Sequence, residues 1–378
     1  MEFYQQLQQN FKINKFFKLD DYKELNKDII QNKFCKSNSD YINHYKNKGK
    51  NEGRLINKEQ LKVCNEFGNE IILYIPYYYY LYTNGLLFDN VIESYKGMEP
   101  YYCWINPKNV IFTERKREWR KYFLLNISPN WHQYPYNPLV YNDNDHVNEF
   151  NKKYVNYFDY RNYYKKFLNN NFNYDILELV NKYFINKNKP NLIICNKITK
   201  EWGLHPINYY TKQNIKLLLE YLTPKFNIIY SCNQNNMKIN NYSYDDNELN
   251  QGYTDDMNLD FLEEQQYINT ELKSNVVIFE DLVQLFKLDY NTSKLNLFSN
   301  CEDYISVQGG NSYLISYFFK NLFILHKYGN EYQPDMNINT YQNWYKEINS
   351  IEDKSVIVEN NFENLFDKIK SFYNIVRI

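Results

Sequence analysis

The second half of the chain predicts an α/β domain built on a parallel, doubly wound sheet. After residue 190, short apolar runs typical of strands alternate with segments of helical periodicity, which is the pattern of consecutive βαβ units. The predicted strands are Leu192–Asn196, Phe226–Tyr230, Val276–Phe279, Tyr304–Val307 and Leu322–His326. The predicted helices are Lys212–Leu222, Glu280–Phe286, Thr292–Phe298, Ser312–Lys320 and Phe362–Tyr373.

The first half is less regular and predicts two further parts. Residues 1–60 are charged and helical in pattern, with a helix ending at Gly49 and a turn through Glu52-Gly53-Arg54. The run IILYI within residues 70–82 has the character of a strand that Pro76 stops. We therefore expect a small helical module over residues 1–60, a first domain over 61–188 and a second domain over 189–378, with a hinge at Asn186–Pro190.

The composition excludes some function classes. The chain has 378 residues and a formal net charge of −1, so no overall charge attracts nucleic acid or a membrane surface. Alanine is absent, glycine and proline number ten each, and tyrosine reaches 41. The scarce residues have GC-rich codons and the abundant ones AT-rich codons, which indicates genome bias. Tyr77–Tyr80 therefore reads as a set of bulky apolar positions and not as a binding platform.

The cysteines and the hydropathy predict a cytoplasmic protein. Six cysteines are widely spaced and match no metal-binding pattern, which favours reduced thiols. The chain opens on a polar segment without the features of a signal peptide, and it contains no apolar run of about 18 residues. We therefore expect no secretion and no membrane span.

A Gly-Gly turn in the second half is the strongest candidate binding element. Gly309-Gly310 follows a predicted strand and precedes a predicted helix, and backbone N–H groups at such a junction bind phosphate. Glycine lets the backbone approach the anion closely, and Gln308, Asn311 and Ser312 add polar side chains. The alternative is an ordinary turn between a strand and a helix.

Arginine is missing from the region of this candidate site. No arginine lies between Arg161 and Arg377, so a phosphate there must be bound by lysine, backbone amides or neutral polar groups, and Lys327 is nearby in sequence. Glu331 follows the next strand, where a carboxylate accepts hydrogen bonds from ribose hydroxyls. The alternative for Glu331 is a solvated loop acid.

The segment from Asn191 to Tyr210 is a second candidate, because it also connects a strand to a helix. Glu201 or His205 suits the role of a general base for an acceptor hydroxyl, and Lys197 suits the neutralisation of a diphosphate. A structural histidine and a surface glutamate are the alternatives.

Two other patterns are weaker. Asp143-Asn144-Asp145 has the D-x-D form that binds Mg²⁺ or Mn²⁺ with a diphosphate, but this pattern arises often by chance in a chain so rich in asparagine and aspartate. The basic run Arg115–Arg120 is typical of a solvated face and secondarily of an acceptor site.

Residues 70–345 resemble a family of poorly characterised glycosyltransferases from large DNA viruses of protists and from bacterial surface-glycan clusters. The most specific parts are Asn196-Lys197, Glu201-Trp202, Pro206-Ile207-Asn208 and Ser306–Gly310. The segment Phe17–Asn57 is similar to a helical module often appended to glycan-synthesis enzymes.

The resemblance implies a GT-B fold, with two Rossmann-like domains facing a cleft and the donor in the C-terminal one. It implies a nucleotide-diphosphate sugar as donor substrate, a glycan or glycoprotein hydroxyl as acceptor, and no tightly bound cofactor or metal. A viral origin would place the protein in the host cytoplasm or the viral factory.

We assign expected roles on this basis. Lys197 or Lys327 offsets leaving-group charge, and direct displacement with inversion is the favoured course. Tyr230 and Phe279, at predicted strand ends, contact the base. Two alternatives remain open: a non-catalytic binding protein on a degenerate transferase fold, and a metal-dependent GT-A-type transferase that uses Asp143 and Asp145.

Overall fold

The computed structural model describes two compact units of the chain. The described residues are 17–31, 35–63, 67–115, 176–197, 207–233, 255–272, 274–329, 338–347 and 353–375. Those up to residue 115 belong to the first unit and those from residue 176 to the second. The boundary expected near residue 60 lies inside the first unit, and the one expected at residue 188 lies inside the second.

The described part of the first unit is mainly helical. Its helices are α1 (Leu19–Leu25), α2 (Lys27–Gln31), α3 (Asn38–His44), α4 (Phe67–Asn69) and α5 (Ile75–Thr83), with π-helices at Tyr45–Gly49 and Glu70–Tyr74. Its strands β1 (Ile92–Tyr95) and β2 (Val110–Thr113) pair in parallel. For the described residues between 17 and 60, the predicted helical character is confirmed, including the helix end at Gly49. Within the described residues of 17–115, these two strands form the only sheet.

The strand predicted for the IILYI run is wrong, because the run is helical. Glu70–Tyr74 forms a π-helix that continues directly into α5. Pro76 lies in the first turn of α5, directly after the π-helix. The proline therefore stands within a continuous helical run over residues 67–83 and does not end a strand.

The tyrosines of α5 join the N-terminal segment to the rest of the first unit. Tyr77 and Tyr78 are buried, as the composition predicted. The Tyr77 hydroxyl donates to the Gly53 carbonyl at 3.1 Å and the Tyr78 hydroxyl to the Gln60 carbonyl at 2.8 Å. These bonds satisfy buried polar groups on both sides, so residues 17–63 pack as part of the first unit.

Arg54 ties the N-terminal helices to the turn that follows them. Its Nη1 and Nη2 atoms donate to the two carboxylate oxygens of Asp28 at 2.7 and 2.8 Å, and its Nε donates to Glu52 at 2.5 Å. The Arg54 side chain is only 7% exposed. A paired, bidentate geometry is what allows a guanidinium to be buried.

The second unit is an α/β domain around a six-stranded sheet. Its elements are α6 (Ile176–Asn181), β3 (Asn191–Lys197), α7 (Lys212–Leu222), β4 (Asn227–Asn233), α8 (Asp255–Glu271), β5 (Val276–Ile278), α9 (Phe279–Leu285), α10 (Tyr290–Ser299), β6 (Asp303–Val307), α11 (Gly310–Ile315), β7 (Asn321–Leu325), α12 (Ile338–Glu347), β8 (Ser355–Glu359) and α13 (Phe362–Ile375). The predicted strands and helices are present, and β8 is an additional strand.

The sheet has the strand order β5-β4-β3-β6-β7-β8 and every neighbouring pair is parallel. Counted within the unit this is 3-2-1-4-5-6, the order of the doubly wound Rossmann sheet. The predicted parallel α/β class is thus confirmed. The direction of winding reverses between β3 and β6, and the carboxyl ends of these two central strands border the crevice where ligands bind in such sheets.

Both faces of the sheet are covered. On one face, apolar side chains of β3 to β7 pack against α7, α8 and α13 in a single core cluster. The helix α7 begins at a capping box between Thr211 and Asn214 and buries Ile215, Leu218 and Leu222 at helical spacing. α10 is buried along its whole length.

The described ranges also include five cysteines and a set of helices whose length and polarity can be compared with those of a membrane span. Cys35, Cys103, Cys195, Cys232 and Cys301 are free thiols. None of the helices in these ranges combines the length and the apolar character needed to cross a bilayer.

Replacement of the buried arginine tests the joint in the first unit. We expect Arg54→Met to lower the free energy of unfolding by about 3 kcal/mol, because it leaves the Asp28 carboxylate without its bidentate partner. Lys58→Met, which removes an exposed ion pair with Glu24, should cost less than about 1 kcal/mol. Urea denaturation measures both, and equal costs would contradict this role of Arg54.

Candidate functional site

Lys197 and Gly309 meet at the carboxyl edge of the sheet, where β3 and β6 end. A Cβ placed on Gly309 would lie 3.0 Å from Lys197 Nζ and 3.4 Å from its Cδ, and the Gly309 φ is +149°. Any other residue would be strained at this φ, and its Cβ would crowd the Lys197 side chain, so the position favours glycine. The two predicted binding segments, which lie more than a hundred residues apart in sequence, therefore adjoin in the fold.

The turn after β6 is braced from inside by buried side chains. Ser312 Oγ accepts from Gly309 N at 3.1 Å and donates to Gly309 O at 2.7 Å. The Tyr345 hydroxyl lies 2.9 Å from Ser312 Oγ and donates to Gln308 Oε1 at 2.6 Å, while Gln308 Nε2 donates to the Tyr313 hydroxyl at 3.0 Å. The side chains of Gln308 and Ser312 thus support the turn and do not face outward as ligand contacts.

The turn presents its backbone and one side chain at the surface. Gly309, Gly310 and Asn311 are partly exposed, as is Lys197. Backbone amides and an ammonium group in this arrangement are suited to bind an oxyanion. Because α11 has only six residues, its dipole is not used as an argument for anion binding. The positive charge of Lys197 is the main attraction for an anion.

Lys327 lies beyond the end of β7, at the same edge. Its Nζ lies 4.8 Å from the centre of the Tyr209 ring, and its backbone N donates to Asn208 Oδ1 at 2.8 Å. Partial burial lowers the pKa of its ammonium group. Gly329 allows close packing here, because a Cβ on it would lie 2.7 Å from Ile207 Cδ1.

Asn196 fixes the chain on both sides of the β3–α7 connection. Its Oδ1 accepts from the backbone N of Lys197 and of Tyr210, each at 2.9 Å. Its Nδ2 donates to the Tyr210 carbonyl at 3.0 Å and to the Tyr230 hydroxyl at 3.3 Å, and that hydroxyl donates to Glu264. The Asn196-Lys197 pair thus combines a buried anchor with a partly exposed cation.

Tyr230 and Phe279 lie in the core. Tyr230 is 0% exposed and Phe279 1% exposed, because β4 continues past Tyr230 to Asn233 and Phe279 begins α9. Neither ring offers a surface on which a nucleotide base could stack, so the role expected for them does not fit their placement.

Several predicted residues lie outside the described residues. These are Glu201 and His205 as candidate bases, Glu331 as the candidate ribose ligand, and Asp143 and Asp145 as candidate metal ligands.

A buried polar cluster on the other face of the sheet was not found from sequence. Glu280, at the first turn of α9, accepts from Ser231 Oγ at 2.6 Å and Cys232 N at 3.3 Å. Burial raises the pKa of its carboxyl to about 7. Lys294 of α10 is also buried and contributes a smaller, opposing charge effect. Glu280 and Lys294 belong to no recognisable motif, and the helices that carry them were predicted only as connections between strands. The sequence therefore contains no pattern that predicts this cluster.

Within the described parts of the chain, no three histidine, cysteine or acidic side chains come close enough together to hold a metal ion. The described cations at the carboxyl edge are lysines. The arrangement is suited to bind an anion through ammonium groups and backbone amides.

Comparisons with protein-family models, with curated proteins and with solved structures give no match to this chain. The strand order and the geometry at the carboxyl edge therefore carry the functional argument.

Substitution of Glu280 tests the buried cluster through pH. Because the folded-state pKa of Glu280 lies above its ordinary value of 4.5, the unfolded chain loses this proton at lower pH than the folded protein does. Stability therefore falls as pH rises between about 4.5 and 7, by on the order of 3 kcal/mol.

Glu280→Gln removes this titration. We expect the stability of the variant relative to wild type to increase from pH 5 to pH 8, as measured by urea denaturation at each pH. Curves that run parallel for the two proteins would contradict a neutral, buried Glu280.

Proposed function

We propose that this protein is a glycosyltransferase whose nucleotide-diphosphate sugar binds at the carboxyl edge of the six-stranded sheet. One observation carries the proposal: the Lys197 ammonium lies against the Gly309 turn at the point where the winding of a 3-2-1-4-5-6 sheet reverses. Nucleotides bind at this point in doubly wound sheets, with phosphate against a glycine-rich turn. The proposal includes the GT-B class, for which the second unit would be the donor domain.

Lysine side chains can bind a diphosphate in a site that contains no arginine. An ammonium group is a compact charge that approaches phosphate oxygens from many directions. Lys197 lies beside the turn, and Lys327 supplies a second ammonium group at the same edge. The backbone N–H of Gly310 would donate to one of the remaining oxygens, whereas the N–H of Gly309 is bonded to Ser312 Oγ.

The chemistry would be a single displacement. The acceptor hydroxyl oxygen attacks the anomeric carbon, and the bond from that carbon to the donor phosphate oxygen breaks. The hydroxyl proton passes to Glu201 or His205, and the nucleoside diphosphate leaves with the bonding electrons. Lys197 stabilises the negative charge that develops on the leaving oxygen, and Glu331 is the proposed ribose ligand.

A thermal-shift screen tests the ligand class. We expect one of the nucleoside diphosphates UDP, GDP and TDP, or its sugar, to raise the melting temperature by a few degrees, since binding at about 100 times Kd adds about 2.7 kcal/mol to stability. The shift should persist in EDTA. No shift with any nucleotide would overturn the proposal, and one abolished by EDTA would favour the metal-dependent alternative.

Sugar release and a lysine substitution test the site and the activity. We expect Lys197→Met to weaken nucleoside diphosphate binding about 10- to 100-fold, the effect of losing a charged hydrogen bond. Lys320→Met, at an exposed position before β7 on the opposite edge, is the matched control and should bind as wild type does.

The same two variants should be assayed for release of nucleoside diphosphate from the sugar donor. Binding without sugar transfer, across a panel of acceptor glycans, would favour the non-catalytic binding protein over the transferase.

A further inference from the structure

A buried lysine contacts the side chain that follows the Gly-Gly turn. Lys294 of α10 is 2% exposed, and its Nζ donates a hydrogen bond to Asn311 Oδ1. The same ammonium lies 5.5 Å from the centre of the Tyr290 ring and 5.6 Å from that of Phe298. Lys294 thus reaches the turn from the interior, whereas Lys197 reaches it from β3.

The chemistry of this contact fixes the orientation of the Asn311 amide. An ammonium group can only donate hydrogen bonds, so the Asn311 atom that faces it must be the carbonyl oxygen. The amide nitrogen then points away from Lys294. Among the residues described here, none accepts a hydrogen bond from Asn311 Nδ2, and Asn311 is partly exposed.

A buried ammonium is costly unless it is compensated, so its presence calls for an explanation. Here the Asn311 oxygen and two aromatic rings offset part of the cost. An apolar residue would satisfy packing alone at this position of a fully buried helix. What lysine adds is a fixed donor aimed at Asn311.

We infer that Lys294 is a positioning residue that turns the Asn311 amide N–H group outward, as a hydrogen-bond donor to a phosphate oxyanion on the Gly309-Gly310 turn. The inference rests on the proposed function and specifies the side chain that contacts the diphosphate. The hydrogen bond that Lys294 donates to the amide oxygen also polarises the amide, and this makes the outward N–H group a stronger donor.

A purely structural role makes a different prediction. If the Lys294–Asn311 contact only joins α10 to α11, its loss should lower the melting temperature without a specific effect on anion affinity. The two roles therefore separate when stability and affinity are measured on the same variants.

Asn311→Asp is the sharpest variant, because it has the shape of asparagine. One carboxylate oxygen accepts from Lys294 as part of an ion pair, so folding should be maintained, while the outward group becomes a negatively charged acceptor. We expect affinity for inorganic pyrophosphate, and for the nucleoside diphosphate that wild type binds, to fall at least about 10-fold. The melting temperature should not fall.

A double-mutant cycle connects the effect to Lys294. Lys294→Met should reduce affinity about 3- to 10-fold in wild type and have no further effect in an Asn311→Ala background, because the coupling requires the amide. Lys294→Arg, which also only donates, should retain most of the affinity. Calorimetric titration with pyrophosphate and with the nucleoside diphosphate gives these affinities.

The probes distinguish failure of this inference from failure of the proposed function. Binding of pyrophosphate without binding of any nucleotide would overturn the nucleotide-sugar proposal and leave the anion site in place. Wild-type affinity in Asn311→Asp, or equal effects of Lys294→Met with and without Asn311, would overturn the inference alone. Binding of neither probe would overturn both.

Discussion

The close approach of Lys197 to Gly309 is the constraint on which the candidate site depends. It requires β3 and β6 to be neighbours, a backbone at Gly309 that other residues rarely adopt, and no side chain in the way. The surrounding residues maintain this approach from two directions. Asn196 anchors the backbone on the Lys197 side, and the Ser312–Tyr345 pair anchors it on the turn side. Neither anchor needs to touch a ligand, and both determine where one would lie.

Much of the second unit was predictable because its strands are short apolar runs between polar segments. Such runs are typical of parallel strands that are buried on both faces. The exceptions have physical causes. β8 alternates buried and partly exposed residues over Ser355–Glu359, as an edge strand does, and gives a weaker signal. The IILYI run satisfies strand and helix patterns equally, and neither periodicity nor Pro76 decides between them without the tertiary context. α11 ends at Ile315, five residues before its predicted end.

The site was predictable in location but not in detail. Carboxyl ends of parallel strands share one edge, so the placement of Lys197, Gly309 and Lys327 at that edge follows from the strand pattern. That Lys197 and Gly309 adjoin depends on the pairing of β3 with β6, which the strand pattern does not determine. The direction of each side chain does not follow from it. Gln308 and Ser312 face inward because Tyr345, which lies on a distant helix, completes their hydrogen bonds. Lys294 and Glu280 come from helices with no motif, and only packing brings them beside the sheet.

The buried tyrosines have a consequence for how this sequence can change over generations. Hydroxyls such as those of Tyr78 and Tyr210 donate to carbonyls of other segments, at Gln60 and Ser306. A tyrosine codon becomes a phenylalanine codon through one A-to-T substitution. Each such step preserves ring packing and leaves one buried carbonyl without its donor, at a cost of about 1 kcal/mol. Mutational drift in this protein would thus erode stability in small, separate decrements, and selection would act on their sum.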